Sequence, residues 1–276
     1  MTTELKVSKR QALLRLLGAG AGALAPGLGQ TADAQGMELA QAVLDRPAGR
    51  DLTSVITMEL GEPGAAPRVR RLVSYRLTQP RGASATLIRF LEPRDVAGTG
   101  LLSLNSASGR TDQSLYLPAL GKVRRIASDR KGGRFVGSDI YFEDLQERPA
   151  AHDRHAVTGT DTVAGVTCQL LVSVPVDPDN SVYRRRISWV DPKTLVVLRV
   201  DYHEDNDQKP SKRFEVLARE QVQSFWTVTD SRVTDLTSGH QTRMKAERVV
   251  YDRKLPNRLF TPQALADEGL ESEYRP

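Results

Sequence analysis

The sequence predicts a mainly β protein: one highly curved antiparallel sheet with a few short helices. Apolar residues alternate with polar ones at a period of two from Leu52 onward, turn-forming sequences separate the alternating runs, and helical spacing appears only briefly.

At the amino terminus, Lys6, Lys9, Arg10 and Arg15 precede or enter a Gly- and Ala-rich apolar run from Leu16 to Leu28, followed by Ala32-Asp33-Ala34. That order predicts an export signal over residues 1–34, cleaved after Ala34, and a periplasmic chain that begins at Gln35. The run is too short and too glycine-rich for the roughly 20 apolar residues of a membrane span. Lys9-Arg10 matches only half of a twin-arginine signal, so the export route stays open. Residues 35–276 are expected to form a single β domain.

Removing residues 1–34 takes away Lys6, Lys9, Arg10 and Arg15 against Glu4 and Asp33, so the formal charge of +5 falls to +3. An excess that small predicts no nucleic-acid partner. The clusters Arg68-Arg70-Arg71 and Arg184-Arg185-Arg186 are dense enough to meet acidic head groups but read first as solvated strand faces. Cys168, the one cysteine, excludes an intramolecular disulfide and reads as a small buried apolar residue.

Met37, Ala40, Val43 and Leu44 are spaced for a short opening helix that Arg46-Pro47 ends. Leu52, Ile56, Met58 and Leu60 then share one strand face. Val69, Val73, Tyr75 and Leu77 repeat the pattern after the turn Gly61-Glu62-Pro63-Gly64. Cys168, Leu170, Val172, Val174 and Val176 alternate strictly, which predicts that their common face is buried. Asp191-Pro192-Lys193-Thr194 supplies the turn of a hairpin from Arg184 to Tyr202. Further strands are expected over 212–219, 225–235 and 242–251, with turns at Asn206-Asp207 and Thr237-Ser238-Gly239. Short helical turns are expected at 139–145 and 261–267. So little helix to cover a curved apolar face suggests an internal cavity, although alternation alone favours a filled sandwich core.

The stretch from Leu115 to Ile126 (LYLPALGKVRRI) and the stretch from Gly133 to Leu145 (GRFVGSDIYFEDL) closely resemble the bacterial outer-membrane lipoprotein-sorting protein family. Gly98–Leu102, Gly165–Cys168 and Trp189–Asp191 extend the resemblance over most of the chain. It implies an unclosed β-barrel, or half-barrel, whose helical lid covers an apolar cavity. It further implies a non-enzymatic, monomeric periplasmic carrier for a lipid or lipoprotein acyl chain, with transient membrane contact and no cofactor. An inner-membrane exporter of the resistance-nodulation-division (RND) type is the implied partner. Within the matching stretches, Tyr116, Leu117, Phe135 and Phe142 are the expected apolar ligand contacts. Arg124, Arg125 and Arg134 are expected to meet an anionic head group. The competing assignments are an Arg124–Asp144 salt bridge and a Ser138-Asp139 helix cap.

Enzymatic readings find little footing. Ser138 stands outside a G-x-S-x-G elbow, and His152, His155, His203 and His240 have no evident nucleophile partner. His152 and His155 have metal-pair spacing, but no second ligand pair follows, and they read as part of an exposed loop. An accessory protein of an envelope exporter, without cargo of its own, is the alternative to a carrier.

Overall fold

The computed structural model describes residues 28–79, 82–127, 131–205 and 209–276, with side chains from residue 33. The expected signal up to Gly27 and the Asn206-Asp207 turn lie outside these residues. The described part opens with helix α1 (Leu28–Leu44), which begins earlier than its spacing predicts and carries Ala32-Asp33-Ala34 within it. Thirteen strands follow: β1 (Asp51–Gly61), β2 (Arg68–Thr78), β3 (Ser84–Glu92), β4 (Gly100–Asn105), β5 (Thr111–Leu117), β6 (Lys122–Arg125), β7 (Asp153–Val163), β8 (Val166–Pro175), β9 (Arg185–Val190), β10 (Val197–His203), β11 (Lys212–Val222), β12 (Phe225–Asp235) and β13 (Gln241–Tyr251). Two short helices, α2 (Pro262–Ala266) and α3 (Gly269–Ser272), close the chain.

All the strands join one antiparallel sheet in the order β6-β5-β4-β3-β2-β1-β13-β12-β11-β10-β9-β8-β7. Neighbours in sequence pair as hairpins from β1 to β6 and from β7 to β13, and β1 pairs with β13 to join the two series. β6 and β7 are the two edges, and they do not pair with each other. The expected unclosed half-barrel is therefore the observed fold.

This topology makes a lid. Because β6 and β7 follow one another in sequence yet stand at opposite edges, the chain between them crosses one face of the sheet, here called the inner face, with residues 126–127 and 131–152 as its described parts. Phe135, Ile140 and Phe142 of that crossing segment bury themselves against Met58, Leu60, Leu72, Ile88, Phe90 and Leu101. The Phe135 ring lies 5.5 Å from Phe90 and 6.0 Å from Phe142, centroid to centroid. Burying each such ring contributes about 1.5–3 kcal/mol.

The outer face of β2–β4 is covered by the carboxy terminus, where Leu255, Leu259, Phe260 and Leu265 pack on Val73, Tyr75, Ala85, Leu87 and Leu102. Asp51 steers the chain there by accepting backbone N–H bonds from Arg253, Lys254 and Leu255. Thr261 caps α2 through the Ala264 N–H at 3.1 Å. The helix expected over 261–267 is thus observed.

Helix α1 lies on the inner face over β7 and β8, with Leu39, Ala40, Val43 and Leu44 against Leu171 and Val190. The approach is close enough that a Cβ on Gly36 would stand 2.4 Å from the His155 carbonyl carbon. Backbone meets backbone there, and only glycine fits.

Several expectations are corrected. Cys168 is fully buried, but Leu170, Val172 and Val174 are half-buried and Val176 is exposed, while Leu171, Ser173 and Pro175 are the buried residues of β8. The cause is α1, which covers the face opposite the apolar row. Arg186 is not a solvated side chain: it pairs with Asp153 and reaches Glu143 at 3.9 Å. Arg70 is buried, donates to the Val136 carbonyl and lies over the Phe90 ring. His155 is buried within β7 rather than exposed in a loop.

Candidate functional site: a cleft on the inner face

Strand register orders the inner face into rows. Ser188 pairs with Val200, Val200 with Phe214, and Phe214 with Val233, giving a mostly apolar row across β9–β12. The neighbouring row, toward the strand ends, runs Arg186, Tyr202, Lys212 and Asp235. The crossing segment lays carboxylates over this polar row. Lys212 Nζ is 2.5 Å from Asp144 Oδ2, Arg186 approaches Glu143, and Arg134 joins Asp139 to Asp235.

The segment is thus fastened along the polar row and stands clear of part of the apolar one. Between them lies a cleft of about 340 Å³ lined by Ile140, Leu145, Val197, Val200, Phe214, Val233 and Met244, with Asp144, Tyr202 and Lys212 at its polar end and Ser188 and Ser231 on its floor. A second space of about 160 Å³ under α1 shares Ser188 and Val197 with it. A larger cavity of about 580 Å³ has Arg110, Asp112, Arg125, Lys131 and Arg148 in its lining, so a hydrocarbon chain entering it would meet charged groups.

The polar end is densely bonded. Tyr183 donates to Asp144 Oδ1 at 2.7 Å, the Tyr141 N–H donates to Asp144 Oδ2 at 2.7 Å, and Lys212 also donates to the Tyr183 hydroxyl. The Lys212 ammonium sits 3.7 Å from the Tyr141 ring centroid and 4.8 Å from those of Tyr183 and Tyr202. Burial lowers the Lys212 pKa, and Asp144 opposes that shift. Burial, reinforced by Asp144, pushes the Tyr183 hydroxyl well above its ordinary range. Tyr141 is raised to about 12, first by burial and then by Glu204.

A latch fixes the other part of the segment. Asp139 is buried, accepts from Thr242 Oγ1 at 2.8 Å and His240 Nδ1 at 2.7 Å, and returns its own N–H to Thr242 at 2.9 Å. Asp139 therefore ties the segment to β13 and caps no helix. Ser138 donates to the Phe135 carbonyl and accepts the Ile140 N–H, which makes a turn. Asp144 is taken by Lys212 and Tyr183, so the Arg124–Asp144 pairing does not form.

The residues singled out in sequence are dispersed. Phe135 and Phe142 lie in the core beneath the crossing segment, and Arg134 lies in the Asp139–Asp235 bridge. Tyr116 packs with the outer-face cluster beside Arg89. Leu117 ends β5. Arg124 is exposed on the edge strand β6, and Arg125 pairs there with Asp112. None of these seven lines the cleft. Lys212 and its tyrosines were missed, although the sequence holds one signal: Lys212 falls in the same strand phase as Phe214 and Val216. Among the described residues, no group of three His, Cys, Asp or Glu is placed to hold a metal, and no helix is long and apolar enough to cross a membrane.

A family model described as an uncharacterized protein matches residues 82–267, about two thirds of the chain. No curated protein matches it. A crystal structure of a DUF1329 family protein from Desulfovibrio piger is 28% identical, with a TM-score of 0.79 over 85% of this chain and 99% of that one. One of a putative outer membrane lipoprotein-sorting protein domain from Vibrio parahaemolyticus is 27% identical, with a TM-score of 0.79 over 85% and 99%. The LolA superfamily protein NE2245 from Nitrosomonas europaea, 15% identical with a TM-score of 0.62 over 83% and 97%, shares the fold. The unclosed thirteen-stranded sheet, the crossing lid and these matches agree: the chain belongs to the outer-membrane lipoprotein-sorting protein family.

Proposed function

We propose that the protein is a non-enzymatic periplasmic carrier whose inner cleft shields the acyl chain of a lipid or lipoprotein during transfer across the envelope. The observation that carries this is the row Val200, Phe214 and Val233 under Ile140 and Leu145, an apolar floor left open by a fastened lid. About 340 Å³ falls at the lower end of the range for small-molecule sites. The continuation under α1 gives a longer chain somewhere to extend. The lipoprotein-sorting name of the Vibrio parahaemolyticus relative supports the same reading.

Transfer needs transient contact with a donor, and we place it at the β5–β6 hairpin, where Tyr116 and Leu117 lead into the turn. Leu120 is exposed at 46%, and Lys122, Arg124 and Arg125 flank it, a pairing of apolar tip and basic edge suited to an anionic membrane. An exporter of the RND type remains the proposed donor or acceptor, and the protein is taken to work as a monomer.

Native mass spectrometry of protein recovered gently from the periplasm tests the carrier reading. A mass increment that releases a lipid on extraction is expected, and Val200→Trp, which fills the cleft, should abolish it without unfolding the chain. Wild-type protein that carries no lipid and takes up none from vesicles would instead favour an accessory protein without cargo.

A further inference from the structure

The charges around the cleft cancel, and this bears on what kind of lipid enters it. Asp144 and Lys212 are the ionisable acid and base in its lining, and they bond each other. Whichever of the two holds the proton, the pair carries no net charge. Two further cations near the cleft's polar end are engaged as well, Arg186 by Asp153 and Glu143 and Arg134 by Asp139 and Asp235. Glu204 beyond Tyr141 is engaged by the Tyr141 and Ser211 hydroxyls. The hydroxyls of Ser188, Ser231 and Tyr202, which also line the cleft, form no hydrogen bond with any described residue. The cleft therefore presents free neutral donors and acceptors beside a compensated ion pair, and no spare positive charge.

From this we infer that the cleft selects an uncharged amphiphile, with a hydroxyl or ester group seated beside Tyr202 and the floor serines, over the fatty acid of the same chain length. An ionised carboxylate entering the cleft would lose its water and find Lys212 already engaged by Asp144. A hydroxyl or ester loses less and gains the unpaired hydroxyls. The row order fits such a ligand, since polar Tyr202 and Lys212 adjoin the apolar row that would take the chain. This inference rests on the carrier reading of the same cleft and adds its head-group specificity.

The test is displacement of the uncharged dye N-phenylnaphthylamine by monomyristoylglycerol, myristyl alcohol and myristate, at a pH well above the carboxylate range. Wild-type protein should bind the two neutral lipids about tenfold or more tightly than myristate. Asp144→Asn keeps the shape and leaves Lys212 uncompensated, so it should shift the preference toward myristate. Should that variant fold poorly, Lys212→Met supplies the opposite arm and should weaken myristate further relative to the neutral lipids. Equal or tighter myristate binding by the wild type, or an unchanged preference in both variants, overturns the inference while leaving the cleft as a lipid site. Failure of the wild type to take up dye or any lipid overturns the carrier reading, and the inference with it.

Discussion

Arg89 and Glu271 stand 182 residues apart in sequence and meet in the protein interior, with Arg89 Nε 2.9 Å from Glu271 Oε1 and both side chains almost wholly shielded from water. The guanidinium also donates to the carbonyls of Gly98 and Leu265, so it binds α2 and α3 to the sheet. Burial pushes the Glu271 carboxyl up, against the pull of Arg89. Glu271→Gln should cost about 3–5 kcal/mol, because a buried arginine loses its counter-charge. The double variant Arg89→Met/Glu271→Leu should recover much of that loss. Denaturant titrations of the two variants would detect the difference, and additive losses would show that the pair does not act as a unit.

A second prediction concerns acid. His155 donates Nε2–H to the Ala150 carbonyl at 2.9 Å, the tautomer a carbonyl partner requires, and accepts the Ser173 hydroxyl on Nδ1 at 2.8 Å. Burial is the main cause that lowers its pKa from the usual 6.5. The folded protein therefore binds this proton less readily than the unfolded chain. Its contribution is complete above about pH 6.5 and is lost as the pH falls through the depressed folded value. The melting temperature should drop between about pH 7 and pH 5, and His155→Asn should flatten that drop. His152, lowered by burial and by Arg148, adds a slope of the same sign.

Gly36→Val tests the docking of α1. With the His155 backbone where a Cβ would fall, the helix must shift or lift, at about 1–3 kcal/mol. Limited proteolysis should then cut within 37–50 faster than in the wild type, and an unchanged cutting rate would mean that α1 is not seated on β7.

Much of this fold is legible in the sequence because β hairpins are local. The period-two runs and their turns locate β1, β2 and β8–β13, whereas β3–β7 carry no such expectation, and the short helix expected over 261–267 is α2. The face that each strand buries is less legible: the apolar alternation of β8 names one face, yet α1 brings a cover to the other. The cleft is harder still. Lys212 begins an expected strand as a charged residue, and its partner Asp144 lies 68 residues earlier. Only the path from β6 to β7 across the sheet brings them together. The stretch from Gly133 to Leu145 lies in the crossing segment, where Arg134, Phe135 and Phe142 fasten it to the sheet while Ile140, Asp144 and Leu145 line the cleft.

The β5–β6 hairpin makes a fourth prediction. Leu120→Asp and Arg124→Glu should each reduce sedimentation with anionic vesicles, and salt should weaken the wild type more than the arginine variant, because screening acts on an exposed attraction. Vesicle binding indifferent to both changes would move the membrane contact elsewhere.

The most direct measurement is photo-crosslinking with a lipid that carries a diazirine partway along its acyl chain, followed by peptide mapping. Adducts should fall on residues 140–145, 197–202, 212–214, 231–233 and 244, and Val200→Trp should remove them. Adducts concentrated instead around Trp189 and Trp226 on the outer face, or adducts on the inner face that survive Val200→Trp, would contradict the inner cleft as the place where the chain is held.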